Sequence, residues 1–128
     1  MKMNKKGFTI VELVIVIAVI AILAGVMIPT FGGVIESANR SAAQQEAKSV
    51  RDALIAADAT KYAGADICVK IVKGSDEFYF STVDGVTEEV DEAPETGEGK
   101  YTELAEKTAV GTGSTAYTIP EGITVYYK

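Results

Sequence analysis

There is no histidine anywhere in the 128 residues. That removes the side chain most used for proton transfer near neutral pH, and the commonest nitrogen ligand for metals. Cysteine is almost missing as well, with Cys68 alone. A single thiol cannot close an internal disulfide, so packing alone must hold an exported domain together. The chain has no G-x-S-x-G nucleophile turn, no phosphate-cradling Gly-rich loop and no cysteine cluster. Positive charge is scarce: 12 Lys and Arg face 18 Asp and Glu, for a net charge of -6. With no basic patch, nucleic acid is not expected as a direct partner. No catalytic constellation, metal-ligand set or cofactor motif emerges, so the expectation is a protein that is not an enzyme.

What the chain does have is a long hydrophobic run. Lys2, Lys5 and Lys6 precede an almost unbroken apolar stretch, Phe8 to Ile28, of 21 residues. At ~1.5 Å rise per residue such a helix is long enough for one bilayer crossing. Basic residues ahead of an apolar segment hold the N-terminus in the cytoplasm. An ordinary secretory signal is cut after its hydrophobic region. Here no A-x-A site follows, and Gly25-Val26-Met27 leads into further apolar residues and Pro29. One carboxylate, Glu12, stands inside the run, where a charge is costly unless it is paired or put to use.

The strings K-K-G-F-T-I-V-E-L (residues 5–13) and G-V-M-I-P (residues 25–29) closely resemble the N-terminus of type IV pilins and their pseudopilin relatives. The resemblance covers Met1 to Pro29. It implies that a prepilin peptidase cuts between Gly7 and Phe8 on the cytoplasmic face and methylates the new amine on Phe8. Gly7 suits a protease that needs unhindered backbone at the scissile bond. Loss of the leader removes Lys2, Lys5 and Lys6 and no acid, taking the side-chain charge from -6 to -9. The resemblance further implies that Glu12 attracts the N-terminal amine of a neighbouring subunit during filament assembly. The same amine and Glu12 are spaced i, i+4, so pairing within one chain stays open. Many pilins of Gram-negative bacteria close a C-terminal loop with a disulfide, and this chain departs from that pattern.

Helical composition continues past the anchor. Ala43, Ala47, Val50, Leu54 and Ala57 recur at spacings of four and three, one apolar stripe on a helix. A near-continuous helix is expected from about Phe8 to Thr60, ended by Gly64. Gly25, Pro29, Gly32 and Gly33 interrupt it. Proline lacks an N–H and crowds the carbonyl four residues back, so a kink or local loss of helicity is expected at Gly25 and Pro29. In related bacterial pilins a proline here accompanies partial unwinding inside the filament.

Ile67 to Lys73 and Glu77 to Val83 read as a strand hairpin, with Val86 to Val90 extending the sheet. Asp91 to Lys100 reads as an acidic surface loop. Its carboxylates and their neighbours (Asp84, Glu88, Glu89, Asp91, Glu92, Glu95, Glu98) match no EF-hand spacing, so no metal is expected. Tyr101 to Lys107 is expected as a short helix. Thr115 to Ile119 and Ile123 to Tyr127 are expected as a second hairpin around Pro120-Glu121-Gly122. Cys68, inside I-C-V-K-I-V, is expected to be buried and inert.

The expected fold is therefore α+β and pilin-like, a long N-terminal helix packed on a small, mainly antiparallel sheet of three to five strands. Residues 1–7 would be the leader, residues 8–35 the transmembrane and filament-core half of the helix, and residues 36–128 the globular head. The first reading is a structural subunit that polymerises into a type IV pilus, a helical homo-oligomer. As precursor it would lie single-pass in the cytoplasmic membrane, then move to the cell surface. The prepilin peptidase, an inner-membrane platform protein and an assembly ATPase follow as partners from the resemblance. Two alternatives stand beside it: a pseudopilin of a type II secretion or competence system, which shares the N-terminal motif, and a membrane-anchored binding module that never polymerises and would keep residues 1–7 or tolerate loss of Glu12.

Overall fold

The computed structural model describes residues 7–128; the expected leader, apart from Gly7, lies outside the described residues. One long helix, α1 (Ile10–Ala57), is followed by a single turn, α2 (Ala59–Tyr62), and seven strands. These are β1 (Ile67–Lys73), β2 (Asp76–Val83), β3 (Val86–Val90), β4 (Thr102–Leu104), β5 (Ala109–Val110), β6 (Tyr117–Thr118) and β7 (Ile123–Tyr127). Backbone contacts divide the chain into two units, the first ending at Ser37 and the second running Ala38–Lys128.

The first unit is helix without cover. Every large apolar side chain from Phe8 to Ile35 is at least 49% exposed. Fully burying one such side chain is worth about 1.5–3 kcal/mol. Soluble monomers rarely leave so large a contiguous apolar surface in water. An apolar 18-residue window within α1 is long enough to cross a membrane, and none of it is buried within the protein.

α1 stays helical through Gly25, Pro29, Gly32 and Gly33. The local loss of helicity expected there is not a feature of this structure. Pro29 has no N–H to give the Gly25 carbonyl, while Thr30 Oγ1 donates to the Val26 carbonyl at 3.0 Å. The helix ends earlier than expected, at Ala57 rather than near Thr60 and Gly64. The cause is Asp58, whose carboxylate accepts from Thr60 Oγ1 at 2.7 Å and from Lys61 N at 3.2 Å. That local bonding competes with continuation of the helix and caps α2 instead. Gly64 ends the α2 turn with a φ of 85°.

The second unit is the core. Ala43, Ala47, Val50 and Leu54 of α1 are all at most 2% exposed, and Ala57 is partly buried beside them. This is the stripe expected from the spacing. It packs on one face of a five-stranded antiparallel sheet of order β3-β2-β1-β7-β4. Alternation along each strand decides what faces the helix. Register aligns Phe80, Val69, Val125 and Leu104 in one row, and Phe78, Ile71 and Ile123 in the next. The first hairpin, β1 with β2, and its extension by β3 lie where the sequence placed them. Thr82 is the one buried polar side chain among the described residues, and its hydroxyl bonds to that of Thr87 at 2.7 Å. Both sheet edges carry acid, Glu88 and Glu89 on β3 and Glu103 on the three-residue β4. Short, charged edges discourage strand addition by other chains.

Two expectations for the C-terminal third are corrected. Tyr101 to Lys107 is not a helix: Thr102–Leu104 forms β4 and pairs with β7. Leu104 sits opposite Val125 in the core, and that tertiary packing outweighs the helical propensity of E-L-A-E-K. The second hairpin does not form either. β7 lies between β1 and β4, while β6 pairs with β5. Ile119 is drawn back to the β5 segment, accepting from Lys107 N at 2.7 Å and donating to the Thr108 carbonyl at 2.9 Å. Pro120, with no N–H, cannot carry a ladder onward.

On the opposite sheet face, Cys68 is 1% exposed and its cross-strand neighbour Tyr126 is 8% exposed. Burial pushes the Cys68 thiol up to about 11. It remains a neutral, unreactive side chain at physiological pH.

Candidate assembly site at the head of the long helix

Gly7, Phe8 and Thr9 precede the first turn of α1 in non-regular backbone. Thr9 then caps the helix. Its Oγ1 accepts from the Glu12 backbone N–H at 3.2 Å, and its own N–H donates to Glu12 Oε2 at 2.9 Å. The Thr9 carbonyl accepts the first helical bond, from Leu13 N at 3.1 Å. Threonine followed three residues later by glutamate is the capping box, in which two otherwise orphaned N–H groups are satisfied reciprocally. The N-terminal end of a helix dipole also favours a carboxylate in the first turn.

The Glu12 side chain is thereby held against its own backbone at the head of the apolar helix. Gly7, Phe8, Thr9 and Glu12 line one open depression of about 430 Å³. Phe8 is 89% exposed there. The structure thus gathers Gly7, Phe8 and Glu12 at one place, and leaves Gly25 and Pro29 further along the same helix. Thr9 is the residue the sequence reading passed over. Its signal was legible, since T-x-x-E ahead of an apolar run is a helix-start signature.

Among the described residues no three His, Cys, Asp or Glu side chains converge on a metal position. The carboxylates of the acidic stretch are dispersed. Glu89 pairs with Arg40 at 3.1 Å, where the guanidinium also lies 5.9 Å from the Phe78 ring centre. Glu95 pairs with Lys100. Lys61 sits over the rings of Tyr127 and Tyr62, at 4.8 and 5.4 Å. The two rings meet edge to face at 5.1 Å, tying the α2 turn to β7.

The described residues comprise an uncovered apolar helical segment, capped at its first turn through a glutamate, and an α+β unit with an antiparallel sheet. Comparison with known proteins agrees with that geometry. Residues 2–28 match the family model of the prokaryotic N-terminal methylation motif. Over 85 residues the chain is 33% identical to the type IV narrow pilus major component PilA5 of Thermus thermophilus. The aligned part is 66% of this chain and 66% of that relative, so the match spans about two thirds of the relative's length. No solved structure matches. Residues 2–28 thus carry the N-terminal methylation motif of prokaryotic prepilins, and the chain is similar to a type IV pilus component, a structural protein.

Proposed function

We propose that this protein is a pilin, a structural subunit that polymerises through α1 into a type IV pilus once its leader is removed between Gly7 and Phe8. The observation that carries the reading is the uncovered apolar surface from Phe8 to Ile35 with the Glu12 carboxylate at its head. In the membrane, lipid covers that surface. On leaving the membrane, only the same surface on other copies offers an equally apolar environment. Helices bundled in a filament core would supply it.

In this reading Gly7 and Phe8 form the cleavage junction, and Phe8 carries the methylated amine. Glu12 pairs with the amine of a neighbouring subunit. In an apolar core that pair is strongly favoured over two separate charges, so it selects the axial register in which a new subunit docks. Residues 1–7 are the leader, residues 8–35 the anchor and filament core, and residues 36–128 the head. Gly25 and Pro29 mark where the helix unwinds when subunits pack, because the Gly25 carbonyl already lacks its helical donor there. A prepilin peptidase, a membrane platform protein and an assembly ATPase are the partners this route needs. The route runs from cytoplasmic membrane to cell surface.

The test is Glu12→Gln, expressed in a host with prepilin peptidase and pilus machinery. Processing of the leader is expected to persist, and sheared surface fibres to be lost. Wild-type levels of fibre from the variant would remove Glu12 from assembly. Short fibres confined beneath the outer envelope in the wild type would favour the pseudopilin role instead.

A further inference from the structure

The capping box leads beyond the role given to Glu12. We propose that Thr9 is the positioning residue for assembly, holding the Glu12 carboxylate in one orientation so that an incoming amine meets a preset acceptor. This rests on the pilin reading above.

A glutamate side chain on an exposed helix turn samples many rotamers, and fixing it on docking costs entropy. In this structure that cost is met beforehand. Glu12 Oε2 is engaged by the Thr9 N–H at 2.9 Å, and the Thr9 hydroxyl returns a bond to the Glu12 N–H at 3.2 Å. One bond uses the backbone of Thr9, which any residue supplies. The other uses its hydroxyl, which only threonine or serine supplies at this length. The hydroxyl bond keeps residues 9 to 12 in the capped geometry, and the backbone bond then fixes the carboxylate. A carboxylate has about four acceptor positions. Accepting from Thr9 therefore leaves capacity for the amine of a second subunit, and the box need not open for the pair to form.

The box also bears on the free subunit. A lone carboxylate at the edge of a bilayer is costly. One strong backbone donor offsets part of that cost while the subunit waits in the membrane. The Thr9–Glu12 bond is i to i+3 and runs through the peptide N–H of Thr9, which leader cleavage does not touch. It is therefore available both before and after processing.

The experiment compares Thr9→Val, Thr9→Ser and wild type as full chains in cells that process and assemble pilins. The readout is fibre protein divided by processed protein remaining in the membrane, so that changes in leader cleavage cancel. Loss of a capping hydroxyl typically corresponds to about a fivefold change in an equilibrium. Thr9→Val is expected to lower the ratio by about that factor, and Thr9→Ser to restore it. A Thr9→Val ratio equal to wild type, or a Thr9→Ser ratio as low as that of Thr9→Val, overturns the proposal. If the wild type itself forms no fibre, the pilin reading fails and not merely the role of Thr9. A second measurement is independent of assembly: amide exchange of the full chain in lipid micelles, followed at Thr9. Protection in wild type that is lost in Glu12→Ala supports the box, and an unprotected Thr9 amide in wild type overturns it.

Discussion

Gly111 stands where two parts of the head come closest, and replacing it with alanine tests the packing at the end of α1. Its φ of 79° lies in the left-handed region, and a Cβ placed there would come within 2.7 Å of the Ala57 carbonyl oxygen and 3.1 Å of the Ala57 Cβ. The left-handed backbone alone costs a non-glycine residue about 1–2 kcal/mol. The contact adds a displacement of either the last turn of α1 or the β5 strand, on the order of 1–3 kcal/mol for overpacking. Gly113 is the control. Its φ is 76°, but nothing lies within 4 Å of its added Cβ. Thermal unfolding of the full chain in detergent, followed by the near-ultraviolet signal of its tyrosines, separates the two costs. For a head of this size 1 kcal/mol shifts the midpoint by roughly 4–8 °C. Gly113→Ala is therefore expected to lower Tm by roughly 4–16 °C, and Gly111→Ala by at least roughly twice as much. Equal shifts would mean that β5 does not rest on the end of α1, and would refute the packing described here.

Further outcomes follow from charge and burial. Hydrogen bonding from Thr60 holds the Asp58 carboxyl below its ordinary 3.8, and the Lys70 ammonium holds Glu77 below its ordinary 4.5. Depressed carboxylates stabilise the fold above their unfolded values, and that contribution is lost as pH falls through the folded ones. Stability should therefore decline as acid is added below about pH 4.5, and the double variant Asp58→Asn, Glu77→Gln should decline less steeply in urea titrations at each pH. With no histidine in the chain, the profile should be level between about pH 5 and 8. Cys68, buried and neutral, should react with a thiol reagent at least about a hundredfold more slowly in the native head than in denaturant. Equal rates would mean that β1 is open to solvent.

How far the sequence foretold the structure depended on the range of the interactions. The stripe from Ala43 to Leu54 was legible because its spacing of three and four is a local property of one helix. β1, β2 and β3 were legible because alternation and two glycine turns, Gly74 and Gly85, sit next to the residues they organise. β4, β5 and β6 were not. They have two or three residues each, too few for periodicity to register. β4 pairs with distant chain, Leu104 with Val125, while β5 and β6 pair locally, Val110 with Tyr117, but are too short to show alternation. Sequence proximity suggested a hairpin around Pro120 instead, and the core position of Ile119, at 0% exposed, decided otherwise. Asp58 was read as part of a helix because its side-chain bonds to Thr60 and Lys61 leave no periodic trace. The candidate assembly site divides in the same way. Gly7, Phe8 and Glu12 came from a motif, whereas the Thr9 box needed only its four-residue spacing and was within reach.

The central claim is that α1 is retained after leader removal and becomes the core of a fibre. Its most direct test is the intact mass of the protein sheared from the surface of cells that express it. The account predicts a chain beginning at Phe8, lacking Met1 to Gly7 and heavier by one methyl group. A chain that still carries the leader, or recovery only from the membrane as an unprocessed precursor despite an active prepilin peptidase, would contradict it.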